Sequence, residues 1–143
     1  MEIREATTRE DITFCKKAIL EFRPNLNPDT VIDEIMAMIS AGFRLLYIPD
    51  EQGTQAAAIA GFRIFTMLRT GTIIYIDDLF TFQANRGKGY ASTLLGHIDG
   101  IAKAGNIKTV HLDSGYNLHP AHRLYLSQGY VLGAHHFVKY IQG

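Results

Sequence analysis

The chain has 143 residues, enough for one domain with its own core. Its 14 basic residues balance 14 acidic ones, so nothing in the bulk charge suits a protein that lives by gripping nucleic acid or anionic membrane. The single cysteine, Cys15, excludes an intrachain disulfide and fits a reducing compartment. The start is charged where a signal peptide turns apolar, and apolar stretches such as 56–60 are far too short to span a bilayer. The expectation is one soluble, cytoplasmic domain over 1–143, with no nucleic-acid or membrane partner.

Residues 3–6 read as a first strand. Thr8 and Asp11 have the spacing of a capping box, followed by Ile12, Cys15, Ile19 and Phe22 at helical period. The turn 24–28, with a Pro at each end, breaks that helix. A second helix runs from about Asp29, with Val31, Ile35, Met38 and Ile39 on one face, and ends at Gly42. Strands follow at 43–48, 57–67 and 72–82, joined by turns at 49–53 and 69–71.

A helix over 89–104 turns Leu94, Leu95, Ile98 and Ile101 to one side. Gly96 and Gly100 lie inside it, each costing roughly 1 kcal/mol against Ala, which close packing on a sheet would offset. Gly105 caps it. Then come a strand at 109–113, a short helix at 120–127 with Pro near its start, and strands at 130–132 and 136–141. Hairpins in the first half imply antiparallel pairing, and the strand–helix–strand unit 72–113 implies a right-handed parallel crossover. The expected fold class is α/β (α+β): a mixed, mostly antiparallel sheet of about seven strands with helices on both faces.

The segment that carries chemistry is the loop from the third hairpin strand into the helix, Arg86-Gly87-Lys88-Gly89-Tyr90-Ala91. A helix start exposes unpaired N–H groups and a partial positive charge. Gly87 and Gly89 let backbone approach a bulky anion, and Arg86 and Lys88 add charge, which is the physics of a phosphate site. The Walker pattern fails because Gly-Lys is followed by Gly. The dinucleotide fingerprint fails because Ser92 stands where it needs Gly or Ala.

With its flanks, this loop resembles the GNAT N-acetyltransferase family, whose diphosphate motif is Gln/Arg-x-x-Gly-x-Gly/Ala. Ile76-Asp77-Asp78-Leu79 precedes it where the family often shows Ile-Glu-Asp-Leu. Ala121-His122-Arg123-Leu124-Tyr125 and Gly129-Tyr130 follow it, much like the family's Ala-x-x-Leu-Tyr-x-x-x-Gly-Phe. The element order matches over nearly the whole chain.

The resemblance implies an N-acetyltransferase moving the acetyl group of acetyl-CoA to a primary amine by direct attack in a ternary complex. It implies that residues 86–91 hold the diphosphate. Backbone groups of Leu79, Phe80 and Thr81 then pair with the pantetheine arm, where the fourth and fifth strands splay. It places Tyr125 as the proton donor to the leaving thiolate, since a phenol is of similar basicity. Asn117 falls near a family Asn that touches the arm, one residue farther from the Ala than the commonest spacing. Asp77 takes the position of a frequent Glu and is the first candidate base. Asp78 is adjacent, and a strand bulge would decide which of the two faces the cleft.

Plainer readings stand beside these. The loop could be a simple turn, the two Asp could pair with Arg, and Tyr125 could be a core aromatic. Cys15 is a small core residue, and the six histidines show no zinc spacing, so no metal is expected. The alternative function is a catalytically weak acyl-CoA-binding sensor or interaction module of the same fold, toward which an Asp at the Glu position leans. The acceptor is a small-molecule or peptide amine, in a pocket built from the first two helices, the loop between them and the final hairpin. Glu21, Asp33 and Glu34 would either lend that rim acidity or stand as solvated helix charges. The sequence leaves the oligomeric state open, a homodimer included.

Overall fold

Residues 1–142 are described in this computed structural model, which opens on a two-residue strand, β1 (Arg4–Glu5). The capping box then forms as its spacing predicts. The Thr8 hydroxyl accepts from the Asp11 N–H at 3.1 Å, the Asp11 carboxylate accepts from the Thr8 N–H at 3.1 Å, and helix α1 (Arg9–Phe22) starts there. Its inner face buries Ile12, Cys15, Ala18 and Ile19. Burial pushes the Cys15 thiol up to about 12, with the Asp11 charge acting in the same sense, so it sits in the core as an inert thiol. Helix α2 (Val31–Ser40) adds Val31 and Ile35 to the same core.

The sheet is formed by β1, β2 (Arg44–Pro49), β3 (Ala56–Met67), β4 (Gly71–Thr81) and β5 (Val110–Leu112), in that spatial order. The first three pairings are antiparallel. Helix α3 (Tyr90–Ala104) carries the chain across to a parallel β4–β5 pairing, as the crossover pattern predicts. Phe43, Leu45, Tyr47 and Ile59 pack with α1 and α2, while Leu94, Leu95 and Ile98 of α3 are buried separately from that cluster. The sheet is thus mixed, mostly antiparallel and flanked by helices.

Two sequence expectations are corrected. Among the described residues the sheet has five strands rather than about seven, because residues 130–132 and 136–141 form no ladder. Their β-branched and aromatic residues supply propensity, but a strand also needs a partner edge, and Leu132 and Phe137 stay 95% and 92% exposed. Gly96 and Gly100 are not packed on the sheet: both are exposed, and a Cβ built on either meets nothing within 4 Å. Gly105 caps α3 as expected, its N–H on the Ile101 carbonyl at 3.0 Å, and the left-handed Asn106 (φ 55°) follows it, with the Ile107 N–H closing on the Ala102 carbonyl at 2.8 Å.

Contacts divide the chain into two units, Met1–Leu112 and Asp113–Gly143. In the second, α4 (His119–Ser127) has Pro120 in its first turn and closes with the Tyr130 N–H on the Tyr125 carbonyl at 3.0 Å.

Candidate active site

β4 runs through a one-turn 3-10 segment (Gln83–Asn85) into the loop before α3. Gly87 and Gly89 both adopt left-handed backbone (φ 78° and 85°), which a side chain would strain. A Cβ at either would project into open space, and no side chain caps the first turn of α3. Arg86 and Lys88 are exposed, and the Arg86 Nε is held by the Thr81 carbonyl at 3.1 Å. This leaves helix-start N–H groups beside two cations, which is a fitting cradle for a diphosphate. The Tyr90 ring is 6% exposed, so that position offers its backbone N–H, and its ring belongs to the core.

The β4–β5 ladder ends at Ile76–Leu112, while β4 continues to Thr81. Among the described residues, the edge of Leu79, Phe80 and Thr81 away from β3 has no ladder partner. That is the opening a strand-like ligand arm requires.

The pairing of β4 with β3 slips at the same place. Phe62 faces Ile76 and Gly61 faces Asp78, so Asp77 is the extra residue of a bulge. The bulge reverses the alternation. Asp78 and Phe80 share the face of Gly61 and Ile59, opposite to that of Ile76. Asp77 is held by the Arg63 guanidinium through two bonds of 2.7 and 2.8 Å. Asp78 accepts from the Arg23 Nε at 3.0 Å, and the Arg23 Nη2 donates to the Asp77 carbonyl at 3.0 Å. Burial pushes the Asp78 carboxyl above the usual carboxylate range, against the opposing pull of Arg23.

Asp78 also lines a cavity of about 270 Å³. The walls come from α1, α2, the loop between them and the sheet: Phe22, Leu26, Ile35, Met38, Phe43 and Ile59. Arg23 and Asn25 are its other polar residues. None of Glu21, Asp33 and Glu34 lines it; Asp33 pairs with Arg9 at 2.6 Å and Glu34 accepts from the Thr30 hydroxyl at 2.7 Å.

In the second unit, Tyr125 lies on α4 with its ring 5.9 Å from that of Tyr130, and burial raises its phenol above the ordinary value. Asn117 sits in the exposed turn before α4, where the Leu118 N–H closes on the Gly115 carbonyl at 3.0 Å. His122 Nε2 lies 2.7 Å from that same carbonyl. Among the described residues, no three His, Cys, Asp or Glu side chains converge on a metal position. No helix among the described residues is long and apolar enough to cross a membrane.

Sequence reasoning missed Arg23, Arg63 and Gly61. The arginines lie 55 and 14 residues from the carboxylates they hold, and no local spacing announces either pair.

Residues 13–130 match the model of the Acetyltransferase (GNAT) family. The chain is 25% identical over 140 residues to the uncharacterized N-acetyltransferase YhdJ of Bacillus subtilis (strain 168), covering 97% of this chain and 98% of that protein. Its backbone resembles that of ribosomal-protein-alanine N-acetyltransferase from Brucella melitensis biovar Abortus 2308, with TM-score 0.83, 13% identity, and 99% of this chain and 100% of that one covered. It also resembles the apo aminoglycoside 6'-N-acetyltransferase AAC(6')-IG from Acinetobacter haemolyticus, with TM-score 0.80, 16% identity, and 99% and 100% covered. Those two likenesses speak for the fold. With the family match running through the glycine loop, the bulged strand and the Tyr125 helix, the chain belongs to the GNAT family of acetyl-CoA-dependent acetyltransferases.

Proposed function

We propose that this protein is an N-acetyltransferase that moves the acetyl group of acetyl-CoA to a primary amine by direct attack, with Asp78 taking the proton of the amine and Tyr125 returning one to sulfur. The observation that carries the base assignment is the bulge at Asp77, opposite which Asp78 lines an apolar cavity. Asp77, first by position, is engaged by Arg63, and its part is to pin that arginine and shape the bulge. Residues 1–143 act as one acetyltransferase domain, since the family match runs across both units.

Gly87, Gly89 and the N–H groups of Tyr90 and Ala91 would hold the diphosphate, with Arg86 and Lys88 screening its charge. The free edge of Leu79 to Thr81 would hold the pantetheine arm, and Asn117 would steady it. Bound acetyl-CoA supplies an activated thioester carbonyl. A lysine-like amine is mostly protonated at neutral pH, and freeing its lone pair costs roughly 4–5 kcal/mol, whereas an α-amine costs about 1 kcal/mol. A carboxylate whose pKa is raised by burial suits that proton transfer. The neutral amine then forms the C–N bond as the C–S bond breaks, the phenol of Tyr125 protonates the departing thiolate, and the resulting phenolate takes the remaining proton from the acetylated nitrogen.

The test is thiol release from acetyl-CoA with a panel of amines. Tyr125→Phe should lower kcat by about tenfold or more while KM for acetyl-CoA stays put. Binding of acetyl-CoA with no turnover of any amine would instead favour the sensor of the same fold.

A further inference from the structure

The cavity beside Asp78 says more about the acceptor than the family does. Its walls are apolar, and it holds one carboxylate. The single cation in it, Arg23, is committed: its guanidinium carbon lies 4.1 Å from the centroid of the Phe22 ring, and it bonds the Asp78 carboxylate and the Asp77 carbonyl. The acidic residues that could have given a cationic ligand a second anchor are absent from the lining. A polycation entering here would bring a second charge against Arg23 with no anion to meet it. A peptide would bury backbone N–H and carbonyl groups against walls where Asn25 is the one uncharged polar residue. A volume of about 270 Å³ exceeds the roughly 150 Å³ of an apolar cavity that takes benzene, so a one-ring or branched hydrocarbon body fits.

Resting on the transferase reading, we propose that the acceptor is a small apolar monoamine: one primary ammonium on an aromatic or branched hydrocarbon body, with no carboxylate and no second cation. Its ammonium meets Asp78, and its body lies against Phe22, Leu26, Ile35, Met38 and Phe43. The ammonium gives one proton to Asp78, and the neutral nitrogen takes the acetyl group. The products are an N-acetyl amide, CoA thiol and the proton released from Asp78.

The full-length chain is first titrated with acetyl-CoA by calorimetry. Turnover is then measured with 2-phenylethylamine, putrescine, tobramycin, L-phenylalanine and an alanine-led peptide. The expected kcat/KM for 2-phenylethylamine exceeds each of the others by about tenfold to a hundredfold, because they either lack the apolar body or would bury an unpaired carboxylate, ammonium or backbone group with it. Met38 lines the cavity yet is 45% exposed, so its replacement spares the core. Met38→Lys should raise KM for 2-phenylethylamine about tenfold and leave the Kd of acetyl-CoA unchanged. Met38→Trp should shift the preference toward isobutylamine. If acetyl-CoA binds but a polycation, amino acid or peptide is acetylated as well as 2-phenylethylamine, the apolar-monoamine assignment falls and the transferase reading stands. If no amine is acetylated, both fall.

Discussion

Gly61 lies opposite Asp78 across the β3–β4 ladder, and the side chain it lacks is the space that Asp78 and Phe43 occupy. A Cβ on Gly61 would stand 2.9 Å from Asp78 Oδ2 and 2.8 Å from Phe43 Cε1. Phe43 is buried and cannot swing clear. Gly61→Ala should therefore cost about 1–3 kcal/mol in denaturant unfolding and lower kcat/KM with an amine. Unchanged stability with unchanged turnover would mean that this contact does not position Asp78.

Asp78 should write its own pH dependence. Its carboxyl is raised chiefly by burial, so protonation disables the base at a pH above the ordinary carboxylate range. The plot of kcat/KM against pH should fall on the acid side through that raised pKa, and Asp78→Asn should abolish this limb and cost about a hundredfold or more at neutral pH. The stability sign follows from the same shift. A raised carboxyl binds its proton more tightly folded than unfolded, so its contribution is present below the unfolded pKa and lost as pH rises through the folded one. Asp78→Asn should remove that downward component from the stability profile.

The two glycines inside α3 offer a prediction with the opposite sign. Gly96 and Gly100 are exposed, and nothing lies within 4 Å of a built Cβ at either. Gly96→Ala and Gly100→Ala should each stabilise the protein by about 1 kcal/mol, read as a higher denaturation midpoint with the slope unchanged. Destabilisation by either would mean that something packs against this face.

What could be read from sequence was local. Thr8 and Asp11 are three residues apart, so spacing alone exposed the capping box, and the contiguous glycine loop could be singled out as a candidate phosphate site. Which of Asp77 and Asp78 faces the cavity was not legible. It depends on one extra residue in β4 opposite Gly61 and Phe62, and on two arginines distant in sequence. A shift of one residue exchanges the faces of everything beyond it. The segments 130–132 and 136–141 misled for another reason: strand propensity was visible, while the absence of a paired edge was not.

The central claim is that the loop before α3 holds the diphosphate of acetyl-CoA, and one measurement tests it directly: calorimetric titration of acetyl-CoA into the native chain and into Gly89→Glu. Position 89 has left-handed backbone and opens onto free space at the helix start, so a glutamate there brings strain, bulk and a negative charge together. The account predicts saturable binding to the native chain and its loss in the variant, with the far-ultraviolet circular dichroism of the two unchanged. Binding of equal affinity to both, or to neither, would contradict it.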